Sequence, residues 1–90
     1  MNTYAYNQIE VNWDECPISV RASLIRYYDD HAAVGHFLTA VLSNDLFGAV
    51  ARADQMNRAN LYGICQFIHN NFPVGTYGTA EKVRKWLKDG

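Results

Sequence analysis

The chain has 90 residues, of which 49% are hydrophobic and 19% charged, and its formal net charge at pH 7 is −1. A hydrophobic content of this size is that of a folded domain, so disorder is excluded as the default state. Proteins that hold nucleic acid by bulk electrostatics usually carry an excess of basic residues, so this charge disfavours that class. The length predicts one small domain, alone or as part of an assembly.

Targeting signals and membrane spans are missing from the sequence pattern. No apolar run approaches the roughly 18 residues that cross a bilayer, and the first residues lack the basic and apolar regions of a signal peptide. Cys16 and Cys65 are therefore expected to be reduced thiols, with at least one of them buried. The expected location is the cytoplasm, and no membrane partner is predicted.

Residues 1–16 differ from the rest of the chain. Ile9, Val11 and Trp13 alternate with polar residues, which is the period of a strand, but no second strand candidate exists to pair with them. We predict an extended N-terminal arm over 1–16, followed by a single helical domain over 17–90. The alternative is a partly ordered coil whose Trp13 fills a gap in the helical core.

The first helix is predicted over residues 17–30, because Pro17 is well placed at a helix start. Its apolar residues span about 220° of the helix circumference, which is much wider than the stripe of an ordinary surface helix. Arg21 lies inside this apolar arc. The pattern predicts either a central helix or one with one face in the core and another on a partner.

A short connection leads to a second helix, His36–Leu42, which is apolar nearly all round and therefore predicted to be buried. Ser43 or Asn44 is expected to cap the next helix. From 45 to 71, apolar residues keep one continuous helical stripe through a polar middle. One helix of that length would span roughly 40 Å, so the helix either breaks near residues 54–57 or belongs to an elongated, dimeric protein.

Pro73 disfavours helical geometry at the residue before it and so ends this region. Thr79 is a typical N-cap for a last helix, Ala80–Lys88, whose basic residues cluster in its final turn. The predicted fold is all-α, a compact bundle of four to five helices with the N-terminal arm.

No arrangement of residues predicts catalysis or a bound cofactor. His31, His36 and His69 do not have the spacing of a metal site. Cys65 and His69 are four residues apart and could touch on a helix, but nothing nearby supplies an oxyanion-stabilising group. We therefore expect no enzyme activity, no metal and no cofactor.

Three polar residues interrupt otherwise apolar faces, namely Arg21, Asp54 and Asn57. A buried Arg21–Asp54 pair between helices would satisfy both charges and fix helix register. The alternative is a polar pocket or a partner contact at Arg21, with Tyr27 or Tyr28 beside it, since arginine and aromatic residues often anchor interfaces. The candidate binding residues are Trp13, Arg21, Tyr27, Tyr28, Asp54 and Asn57.

Two runs, 17–27 and 34–46, resemble segments of short, mostly uncharacterised helical proteins of tailed bacteriophages and prophages. The Tyr77-Gly78-Thr79 motif before the last helix and Trp86 are similar as well. The likeness covers residues 17–86 and leaves the arm unmatched. It implies a phage setting, in the host cytoplasm, but no catalytic residue, because the family has no established activity.

Two function classes follow from these observations. The first is a non-catalytic accessory protein that binds a host or phage protein, for example to inhibit a defence or regulatory factor, and that forms a homodimer. The alternative is a pocket protein that sequesters a small molecule such as a nucleotide, with arginine, asparagine and tyrosine side chains as contacts.

Overall fold

The computed structural model describes residues 10–90, which contain six α-helices, two short 3₁₀ turns and no strand. The all-α prediction is confirmed. The Cα radius of gyration, 12.8 Å, is close to the roughly 12 Å expected for a folded chain of this length. The helices are α1 (Ile18–Asp30), α2 (His36–Leu42), α3 (Leu46–Arg52), α4 (Gln55–Ala59), α5 (Leu61–Asn71) and α6 (Ala80–Lys88).

The predicted arm divides into two parts. Residues 1–9, with Ile9, lie outside the described residues. Beyond them the extended prediction is wrong, because Trp13–Glu15 form a 3₁₀ turn that packs on the helices. Asn71 holds this segment from α5: its Oδ1 accepts a hydrogen bond from the backbone N–H of Asn12, and its Nδ2 donates to Glu15. The alternative, in which Trp13 fills a gap in the core, is confirmed.

Helix α1 begins as predicted, with Pro17 as its N-cap, and ends at His31, whose φ of 55° is left-handed. Val20, Leu24 and Tyr27 form its buried face. Ile18, which belongs to the wide apolar arc predicted for this helix, is 76% exposed. The wide apolar arc thus reflects one core face and one face that remains partly open.

Helices α2 and α3 form a tight pair joined by three residues. Asn44 adopts a left-handed φ of 63°, and its N–H and that of Asp45 donate back to Val41 and Ala40 of α2. The predicted cap of α3 at Ser43 or Asn44 is wrong. Asp45 is the N-cap, and its carboxylate accepts a hydrogen bond from the N–H of Gly48.

The predicted long helix breaks twice, at the sharp turn over Ala53 and Asp54 and again at Asn60. The first break has a clear cause. Ala53 and Asp54 have extended backbone angles, with ψ values of 132° and −178°, and the Asp54 carboxylate caps α4 at the N–H of Asn57. Of the two alternatives, the broken helix is confirmed, and a continuous helix over 45–71 is wrong.

The C-terminal part follows the prediction. Helix α5 ends before Pro73, and Thr79 caps α6 by accepting a hydrogen bond from Lys82 N–H. Between them Gly78 has a φ of 115°, which only glycine adopts readily, and its N–H donates to the Leu42 carbonyl at 2.7 Å. This bond fixes the loop before α6 against the end of α2.

Aromatic rings pack against one another in the part of the core where α1, α5 and α6 meet. Tyr28 and Phe72 stack at 5.0 Å between ring centroids, and Trp13 lies 5.4 Å from Phe67. Trp86 donates from its indole N–H to the Tyr27 carbonyl at 2.7 Å, so α6 is pinned to α1. We call this group the aromatic core; its members are Trp13, Tyr27, Tyr28, Phe67, Phe72 and Trp86.

In residues 10–90, no helix has the length and apolar character that crossing a membrane requires.

Candidate protein-binding groove

The aromatic candidates from the sequence lie in the core. Tyr27 is 0% exposed, and its hydroxyl donates to the Thr76 carbonyl at 2.6 Å, so its prediction as a partner contact is wrong. Burial raises the pKa of Tyr27 to about 12. Trp13 and Tyr28 are half-buried, and both rings pack on Phe72, Trp13 edge-on and Tyr28 by stacking.

The Arg21–Asp54 pair is also wrong. The Arg21 guanidinium donates twice to the Cys16 carbonyl, at 2.7 and 3.2 Å, and once to that of Asp14. It therefore fastens the N-terminal segment to α1. Asp54 is exposed and caps α4, whereas Asn57 accepts a hydrogen bond from the Ser19 hydroxyl. The pair fails because each group has found a nearby backbone partner.

The most exposed apolar surface lies on α3. Leu46, Phe47 and Val50 are 62%, 85% and 47% exposed. Their spacing of three and four residues makes them neighbours on one helix face. The core contact of α3 is made by alanines instead, since Ala49 and Ala53 are buried. A helix that buries its small residues and exposes its large ones has an unpartnered apolar face.

Beside this face a groove separates α3 and the end of α2 from α5. Its two adjoining segments have volumes of about 60 and 230 Å³ and share Val41, Asn44 and Cys65. We call it the α3–α5 groove. The first segment is also lined by Asp45, Leu46, Ala49 and Leu61, and the second by Ile68, Tyr77 and Gly78.

The groove follows α5 and carries opposite charges at its two ends. Leu61 lines the first segment and Ile68 the second, so the groove extends about 10 Å along the helix. Asp45 lines the same segment as Leu61, and its carboxylate caps α3 at the N–H of Gly48. At the other end, the Lys82 ammonium lies 3.8 Å from where a side chain of Gly78 would begin. The rest of its lining is mostly apolar, and Asn44 lines both segments.

The two cysteines differ in access. Cys65 is exposed in the groove, where the apolar side chains around it raise the pKa of its thiol by desolvation. Cys16 is 1% exposed, and burial raises its pKa to about 11 even though Arg21 lies beside it. Of the two thiols, Cys65 is the one that can be reached from solvent.

A second, polar depression lies between α1 and the α3–α4 break. Its volume is about 310 Å³, and its polar lining comes from Ser19, Ser23, His36, Arg52, Asp54 and Asn57. It brings together two of the predicted site residues, Asp54 and Asn57, but separates them from Arg21. His36, Arg52 and Asp54 are exposed, so the depression is an open surface feature rather than an enclosed ligand pocket.

The possible metal ligands in the part of the chain that the structure describes are its histidines, cysteines and carboxylates. No set of three or more His, Cys, Asp or Glu side chains there could hold a metal ion. The predicted Cys65–His69 proximity is not a hydrogen bond in the structure; His69 contacts the Tyr77 hydroxyl instead, at 3.4 Å. The α3–α5 groove is therefore notable for its apolar lining.

Sequence reasoning missed the groove because it placed the apolar residues of 45–71, Leu46 and Val50 among them, on one continuous helical stripe. The available signal was Asp54, an N-cap residue that follows Ala53 directly and so indicates a break there. Comparison with protein-family models, curated proteins and solved structures found no match for this chain.

Proposed function

We propose that this chain acts by binding a protein partner, without catalysis, and that the α3–α5 groove and the exposed face of α3 are the binding surface. The observation that carries the proposal is the exposure of Leu46, Phe47 and Val50 beside an apolar groove. Exposed apolar side chains that are scattered singly are normal, but adjacent ones that border a groove mark interaction surfaces.

The composition of the surface favours a protein over nucleic acid. The exposed face of α3 carries apolar side chains. The only cationic residue of this helix is Arg52, and it lines the polar depression. A helix that reads DNA needs hydrogen-bond donors for base edges and cations for phosphates. Tyr62, 77% exposed on α5, adds an aromatic ring of the kind that is enriched in protein interfaces.

A small-molecule ligand, the alternative, has less support. The two groove segments, at about 60 and 230 Å³, are smaller than the roughly 300–1,000 Å³ of ligand pockets. The polar depression reaches the lower limit of that range, but its charged groups are exposed. Apolar side chains of a partner fit the groove better than a nucleotide does.

The resemblance to phage proteins gives the proposal a setting. In a phage-infected cell, we expect the partner to be a host or phage protein in the cytoplasm, and inhibition of a defence or regulatory factor is one outcome of such binding. A homodimer also remains a proposal, although two reasons for it have weakened: the long helix is broken, and residues 13–15 form a turn.

The test is capture from a lysate of infected host cells with the full chain, compared across single variants. We expect Leu46→Asp to lose the captured protein, because it places a carboxylate at the wall of the groove. Val74→Asp is the matched control, since Val74 is 75% exposed and does not line the groove. Equal capture by the wild type and by both variants would overturn the proposal.

A further inference from the structure

We infer that the partner segment that occupies the α3–α5 groove is an amphipathic α-helix lying parallel to α5, with its N-terminal end at Asp45 and its C-terminal end at Lys82. This inference rests on the proposed function and specifies the chemistry and orientation of the partner. Three features of the groove support it, namely its length, its apolar lining and the charges at its ends.

The length matches the repeat of a helix. From Leu61 to Ile68 the groove follows seven residues of α5, which is about 10 Å. Side chains at positions i, i+3 or i+4 and i+7 of a bound helix cover the same distance, and this is the usual anchor pattern of a helix in a groove. The two adjoining segments give such anchors two places to insert, on either side of Cys65.

The apolar lining of the groove favours a partner segment whose backbone N–H and C=O groups are hydrogen-bonded within the segment. The walls of the groove are mainly side chains of Val41, Leu46, Leu61 and Ile68, and the described residues show no strand edge that could pair with an extended peptide. An extended peptide would bury backbone N–H and C=O groups against apolar carbon, which costs free energy. A helix satisfies those groups internally and presents only side chains.

The charges set the direction. A helix carries partial positive charge at its N-terminus and partial negative charge at its C-terminus. The negative charge of Asp45, which lines the first segment and caps α3, therefore favours the N-terminal end, and the Lys82 ammonium beside Gly78 favours the C-terminal end. Because α5 runs from the Asp45 end to the Lys82 end, the bound helix is parallel to it. Basic side chains near its start and acidic ones near its end would add to this complementarity.

Cys65 lies between the two segments and allows a direct test by disulfide exchange. The probe is an alanine-based peptide of about 15 residues with a central cysteine and leucines three residues before and four residues after it. Its cysteine carries a mercaptoethanol disulfide; the Cys65 thiolate attacks this bond, forms the mixed disulfide and releases mercaptoethanol. Peptide retained on Cys65 at increasing mercaptoethanol then reports groove affinity. Cys16 is the internal control, because its buried thiol stays unreacted.

Two peptides test the direction. One carries lysines at its N-terminal end and glutamates at its C-terminal end, and the other has these charges exchanged. We expect the first to resist about threefold to tenfold more mercaptoethanol, from two weak ion pairs. In Lys82→Glu this preference should shrink or reverse. In Lys85→Glu, on the same helix but not at Gly78, it should persist.

Several results would overturn the inference. One is that three peptides are retained equally: the two charged peptides and a proline-containing version that cannot form a helix. Another is a solution dimer, measured by light scattering, that Leu46→Asp dissociates, because a second copy would then occupy the groove. If either occurs while capture still depends on Leu46, the proposed function stands and only the helical partner is wrong. If capture is also independent of Leu46, both proposals are wrong.

Discussion

The aromatic core and the α3 face use their large side chains in opposite ways. In the aromatic core, Tyr27 is fully buried, and the indole N–H of Trp86 and the Tyr27 hydroxyl both donate to backbone carbonyls. On α3, small alanines make the core contact while Phe47 is 85% exposed. Aromatic residues at the candidate positions therefore stabilise the fold, and large apolar side chains stay exposed where small residues make the core contact.

The largest expected effect comes from removing a ring from the aromatic core. Trp13→Ala should lower the free energy of unfolding by about 2–4 kcal/mol, because Trp13 packs against Tyr28, Phe67 and Phe72. Phe47→Ala, the matched change on α3, should alter it by no more than about 0.5 kcal/mol. Urea denaturation measures both. Equal losses in the two variants would remove the distinction between the regions.

The substitution Arg21→Met tests whether Arg21 stabilises the fold. We expect a loss of about 2 kcal/mol in unfolding free energy, because the carbonyls of Cys16 and Asp14 lose a charged donor. Arg26→Met, at an exposed position of the same helix, should cost much less. Full stability with lost partner capture would instead make Arg21 a binding residue.

The buried phenol of Tyr27 predicts a change in stability at high pH. Its pKa is about 12 in the fold and about 10 when unfolded. The folded state therefore holds the proton more tightly, and the resulting stability is complete below pH 10 and declines as pH rises toward 12. The loss should reach about 1 kcal/mol by pH 11. In Tyr27→Phe the unfolding free energy should fall less steeply over this pH range, with Cys16 still present in both proteins. An unchanged slope would show that Tyr27 does not cause the loss of stability.

The smallest expected effect concerns Asp54. Asp54→Ala should cost about 1 kcal/mol through loss of the α4 cap at Asn57 N–H. Combined with Arg21→Met, the two losses should add, because the side chains have separate partners. A coupling energy above about 0.5 kcal/mol in this double-mutant cycle would show that Arg21 and Asp54 interact, as the sequence suggested.

Sequence patterns predicted the helices better than they predicted which faces are open. Pro17, Pro73 and Thr79 act through local backbone geometry, so the limits of α1, α5 and α6 followed from them. The turn at Ala53 and Asp54 is local as well, but it separates α3 from the helices that follow, and in the fold Ala49 is buried while Leu46 and Val50 are exposed. Periodicity within one helix cannot reveal such a change, because it depends on where the preceding helix packs.

The candidate site was missed for a related reason. Trp13, Tyr27 and Tyr28 have the side chains typical of interface anchors, but whether a ring is buried depends on tertiary contacts with Phe67, Phe72 and Trp86. The groove is formed by residues far apart in the chain, such as Val41, Leu61 and Gly78, and its shape requires the α2–α3 turn at Asn44.

The most direct test of the binding surface is the alkylation rate of Cys65 in the full chain, with and without the partner recovered by capture. Mass spectrometry can follow Cys65 while Cys16, which is buried, reports unfolding. If the α3–α5 groove is the binding surface, the partner should slow Cys65 alkylation at least about tenfold and leave Cys16 unmodified. An unchanged alkylation rate of Cys65 with saturating partner would show that the α3–α5 groove is not the binding surface.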